Sequence, residues 1–176
     1  ALMLMDELNV KPEDRVVVGP ARKAAEEACD TGKGNDGVFC GAALELRDGT
    51  IIRGKNSALM HASSSLVLNA VTHLAGLPDK LHLLAPNIME SISHMKKDIL
   101  HTKQISLDLE ETLIALSISA ANNPAVELAA EKLVELRGCD VHMTHIPTPG
   151  DEAGLRRLGV FLTSDANFSS KCLFVS

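Results

Sequence analysis

Tyrosine and tryptophan are absent, and four phenylalanines make up the whole aromatic complement. Basic side chains are also in the minority, 17 Lys and Arg against 23 Asp and Glu, for a formal charge of −6. A chain with neither stacking platforms nor a phosphate-attracting field is not built for nucleic acid. Cysteine is sparse. Cys29, Cys40, Cys139 and Cys172 form no C-x-x-C pair, so neither a disulfide framework nor a thiolate metal site is expected. That usage suits a reducing compartment and predicts a cytoplasmic location. No apolar run approaches the ~20 residues that span a bilayer, so no membrane contact is expected. Neither a charged-then-apolar leader nor an initiator methionine opens the chain. It starts mid-pattern with Ala1-Leu2-Met3-Leu4-Met5, an apolar run that would pack on something preceding it, and the expectation is a fragment of a longer protein.

What is present is enough for one core: 176 residues, 45% of them hydrophobic. The expected division is a remnant of an upstream segment over 1–13, a core over 14–163 and a tail over 164–176. The organising stretch runs from 39 to 76. Cys40, Ala42, Leu44 and Leu46 alternate, Asp48-Gly49 supplies a two-residue turn, and Thr50-Ile51-Ile52 returns, which predicts a hairpin. After a polar loop, Arg53-Gly54-Lys55-Asn56-Ser57, residues 61–74 bring Leu66, Val67, Ala70 and Leu74 round at helical spacing.

Around this unit, 20–29 reads as helix and the glycine-rich 30–37 as loop. Its G-x-G follows a helix and enters a strand, the reverse of what a dinucleotide fingerprint requires. Residues 80–85 read as a strand ended by Pro86. A helix over 88–100 keeps Ile88, Ile92, Met95 and Ile99 on one face. Asp108 and Glu111 have capping-box spacing for a helix to 120, and Asn123-Pro124 opens another to 137. A strand over 139–146, a turn over 147–150, a helix over 151–158 and a strand over 160–163 complete the order. Such alternation predicts an α/β fold of three layers, a mixed five-stranded sheet with helices on both faces.

Three groups of residues could carry chemistry. Gly54, Lys55, Asn56 and Ser57 fall between a strand and a helix, where free N–H groups and the helix dipole favour an anion; simple capping explains the same residue types. His61 and Ser63 open the helix and are candidates for proton transfer, against a reading as cap and packing residues. His142 and His145 are three apart on a strand and so face opposite ways. His145, at the strand's carboxyl end beside Thr144, Thr148 and Asp151, is placed where α/β sheets bind ligands; Gly150 lies in the same turn. Asn87 opens a further helix at a similar level.

The element order, a hairpin leading into a core helix and then a strand, a proline and a helix, resembles the cytidine-deaminase-like fold. That resemblance would place a zinc ligand and a proton-shuttling Glu where His61-Ala62-Ser63 stands, and two thiolates in the region of Pro86-Asn87-Ile88-Met89-Glu90. Ser, Asn and Met cannot serve those roles, so neither metal nor other cofactor is expected.

At the level of sequence, AALELRDGTIIRGKNS (42–57), LEETLIALSISA (109–120) and DEAGLRRLGV (151–160) resemble the bacterial family called domain of unknown function 1846, or uncharacterised protein family 0371. The likeness extends over most of the chain from about Asp14. It implies a C-terminal portion joined to an upstream domain whose glycine-rich, nucleotide-binding-like stretch is absent from these residues. Two readings of function follow. One is a metal-free structural module that makes homo-oligomers. The other is an enzyme or binding domain for a nucleotide-like or phosphorylated ligand, using Gly54, Lys55, Asn56, Ser57, Asn87, Thr148 and Gly150.

Overall fold

The structure is a computed structural model that describes residues 9–169. The apolar ends 2–5 and 173–175, whose exposure on a lone domain predicts self-association, lie outside them, as does Cys172. Four strands form one mixed sheet: β1 (Gly41–Glu45), β2 (Ile51–Lys55), β3 (Asp140–Met143) and β4 (Phe161–Ser164). Their spatial order is β2-β1-β3-β4. β1 pairs antiparallel with β2 and β3, while β3 and β4 run parallel.

Among the described residues there are six α-helices: α1 (Val18–Asp30), α2 (Ala62–Leu74), α3 (Pro86–His94), α4 (Leu109–Ala120), α5 (Pro124–Glu131) and α6 (Pro149–Leu158). The centre of the sheet is buried on both sides. Gly41 and Ala43 meet α1: a Cβ on Gly41 would stand 2.2 Å from the Ala21 carbonyl oxygen, and Ala43 packs with Val17 and Ala21. Ala42 and Leu44 face the larger core with Leu66, Val67 and Ala70 of α2. Two covered faces explain why four of the five β1 residues are buried, where a hairpin with one wet face would alternate.

The sheet has four strands among the described residues, one fewer than expected. Residues 80–85 are irregular, leaving a turn at Lys80 and bending at Leu83 and Leu84. Leu83 and Leu84 are buried in the main core, but no residue of this stretch pairs in the sheet. The strand that would precede Pro86 in a deaminase-like sheet is therefore not formed. Arg53, Gly54 and Lys55, read as loop, extend β2, since register holds from Glu45 opposite Ile51 to Gly41 opposite Lys55. The helix expected over 88–100 is α3 followed by a π-helical turn, Met95–Ile99, and the one expected to 137 gives way to a 3-10 turn, Lys132–Leu136. The expected turn at 147–150 is the start of α6, with Thr148 as its N-cap.

Candidate functional site

Three helices begin at one place. His61 is the N-cap of α2, Asp108 of α4 and Thr148 of α6. Their approach depends on two glycines one turn apart on α6. A Cβ on Gly150 would fall 2.1 Å from Asp108 Oδ2, and one on Gly154 would fall 2.8 Å from Leu109 Cγ. With hydrogen there instead, α6 lies against the first turn of α4 and carries Asp151 between all three helix starts.

Asp151 is 2% exposed, and every lone pair of its carboxylate is used. Oδ1 accepts from Ser63 Oγ at 2.6 Å and from the Leu109 N–H at 3.0 Å. Oδ2 accepts from His61 Nδ1 at 2.8 Å and from Thr148 Oγ1 at 2.8 Å. Burial pushes this carboxyl up, but the His61, Ser63 and Thr148 donors outweigh it and hold the group below its ordinary range; three converging dipole ends act in the same direction. For His61, burial disfavours the charged form, and the Asp151 bond and charge, with a smaller part from Asp108, reverse that to raise the imidazole above its ordinary value. An ionised carboxylate cannot donate, so Nδ1 carries a proton and Nε2 is the atom that titrates.

His61, Asp151 and Thr148 line a cavity of about 520 Å3 at the carboxyl end of β3, with Asn56, Ser57 and His145 also in its wall. The wall also carries Cys40, Lys103, Gln104 and Phe168, and the acidic Asp36. The Cys40 thiol is pushed up to about 12 by burial and by the Asp151 charge, so it stays protonated and unreactive. His145 is held below its ordinary value by burial, with Asp165 opposing, and its Nδ1 pairs with Thr144 Oγ1 at 2.9 Å. His142 faces away, as its strand position requires; its Nδ1 meets Thr163 Oγ1 at 2.8 Å.

The structure thus brings His61, Ser63, Thr148, Asn56, Ser57 and His145 into one neighbourhood and leaves others out. Ser63 touches Asp151 and not the imidazole, so it is not a nucleophile primed by His61. The side chain of Asn56 bridges the Cys40 N–H and the Val38 carbonyl, and Ser57 Oγ accepts from the Leu59 and Met60 N–H groups. Gly150 packs on Asp108 outside the lining. Lys55 lines a separate groove and is paired with Glu27 Oε2 at 2.7 Å. Gly54 has ordinary backbone; what demands glycine is α2, because a Cβ would lie 2.4 Å from the Ala62 carbonyl oxygen and the Leu66 nitrogen. Asn87 is exposed on α3 and lines neither space. The sequence sets Asp151 near His145 at the strand end, but not beside His61. Thr148-Pro149-Gly150-Asp151 has capping-box spacing, but nothing local says that the acidic side chain turns inward to meet a histidine 90 positions earlier.

The fold and this cluster define an α/β domain in which a half-buried histidine pairs with a buried aspartate at the strand ends. The family model described as "Domain of unknown function DUF1846, C-terminal" matches residues 13–174, and the chain belongs to that family. A UPF0371 protein of Clostridioides difficile is 45% identical over 174 residues, and one of Clostridium botulinum is 43% identical over 175. Each alignment covers 99% of this chain and 34% of the relative, so the chain spans about a third of the length of these curated relatives.

Proposed function

We propose that this domain binds a small anionic ligand, nucleotide-like or phosphorylated, in the cavity above His61, with the imidazole as its proton-bearing contact. One observation carries the reading: a carboxylate saturated by four donors spends one of them on a histidine in the wall of a ligand-sized space. Ser63, Thr148 and the Leu109 N–H would already satisfy much of Asp151. The imidazole adds a charge at the cavity that a purely structural carboxylate does not need. Asp151 spends its charge on its four donors, so an incoming anion meets the His61 imidazole, Lys103 and the first turns of α2 and α6, with Asp36 as the opposing charge in the wall. Above its raised value His61 offers Nε2 as a base, and below it as an acid.

A thermal-shift panel of nucleotides and sugar phosphates, run on wild type and His61→Gln, tests this. A ligand present at a hundred times its dissociation constant adds about 2.7 kcal/mol. At least one compound should shift the wild type and shift His61→Gln far less. A panel that moves neither protein, or both equally, removes the reading.

A structural role in self-association is the second reading, supported by α4. Ile114 and Ile118 stand one turn apart on its outer face, 63% and 57% exposed. Apolar side chains so placed gain from a partner surface.

A further inference from the structure

A second space, about 1230 Å3, runs between α2 and α3 beside β2. Its apolar lining includes Ile52, Leu59, Met60, Leu68, Leu81 and Met89. None of these belongs to the cavity at His61. The volume exceeds the roughly 300–1,000 Å3 usual for a small-molecule pocket. A helix about 10 Å across would fill it over roughly ten residues. Among the described residues β2 is also the outermost strand, with only β1 beside it, an edge of the kind that proteins commonly cover.

A docking strand is poorly served there. Asn69 Nδ2 of α2 already donates to the Arg53 carbonyl at 2.9 Å, occupying a backbone acceptor that strand addition would use. Methionine side chains repack around varied shapes, and grooves that take helices exploit this. Met60 and Met89 provide it here, with Asp79, Glu90, Lys97 and Asp98 giving the lining charges of both signs. The occupant must come from somewhere, and about two thirds of each of the two clostridial relatives lies outside the span of this domain. A segment joined covalently needs little intrinsic affinity, because tethering supplies its concentration.

We propose that the groove between α2 and α3 seats an amphipathic helix from the part of the family polypeptide outside this domain. The test uses the full-length Clostridioides difficile relative carrying a photoreactive benzophenone side chain at the positions aligned with Glu90 and Ser93, and, as control, with Lys23 on α1. Irradiation should join the two groove positions, but not the control, to a peptide of the same polypeptide upstream or downstream of the domain, with apolar residues recurring three and four apart. Monomer-sized products would show that the link is internal. Cross-links to a second copy or to another protein would overturn the proposal, as would groove positions that react no more than the control.

Discussion

Gly54 and Asp151 show how single atoms set this structure. Gly54→Ala places a methyl carbon against the backbone of α2, which cannot move like a flexible side chain. The denaturation midpoint should fall by the equivalent of about 3 kcal/mol, the upper end of ordinary overpacking, and an unchanged midpoint would mean that α2 and β2 are not in such contact. Asp151 and His61 make a pH argument. His61 is raised above its ordinary value of 6.5, so its contribution to stability is complete below that value and is lost as pH rises through the raised one. Asp151 is depressed below 3.8, so its contribution is present above 3.8 and lost as pH falls through the depressed value. Asp108, raised chiefly by burial, works against the acid arm, because its ionised form is the one disfavoured on folding. Stability from the pair should therefore peak between about pH 4 and 6.5. Asp151→Asn should cost roughly 3 kcal/mol or more within that window and flatten the profile above it. Urea unfolding of both proteins across pH checks this, and parallel profiles would deny the coupling.

At the scale of elements, end signals read from sequence held best. Asp108 accepts from the Glu111 N–H at 2.9 Å while Glu111 Oε2 accepts from the Asp108 N–H at 3.1 Å, the reciprocal pair that the spacing predicts. Lys96 Nζ reaches the same carboxylate at 2.7 Å and ties the π-helical turn to the start of α4. Asp108→Ala should cost about 1–2 kcal/mol and lower helicity by circular dichroism. Full retention of stability would show the cap to be dispensable. Asn123 and Gly159 also stand where their side chain and its absence require: Asn123 Oδ1 accepts from the Ala125 N–H at 3.1 Å, and Gly159 ends α6 at φ +78°. Strand signals were weaker. The run at 80–85 is apolar because it enters the core, and four or five apolar residues in sequence have the same composition whether they pair or only pack.

At the scale of the molecule, association is the open surface property. Ile114 and Ile118, with Val134 also exposed, should give a mass above that of the monomer by light scattering at high micromolar concentration. Ile118→Arg should return it to the monomer, and a wild type already monomeric there would exclude this face as an interface. The α/β class, the hairpin and most helix boundaries were legible in the residues, because period, turn chemistry and caps act within a few positions of the chain. The sequence alone also placed His61 at a helix start and His145 at a strand end. It could not place Asp151 beside His61, pair Lys55 with Glu27, or move 80–85 out of the sheet. Those were decided by packing. Gly150 and Gly154 allow two helices to touch, Gly41 and Gly54 bring helices onto both faces of the sheet, and only then does a carboxylate find its four donors. Local rules depend on neighbours in sequence, whereas a buried charge is set by neighbours in space, and tertiary contact alone supplies those.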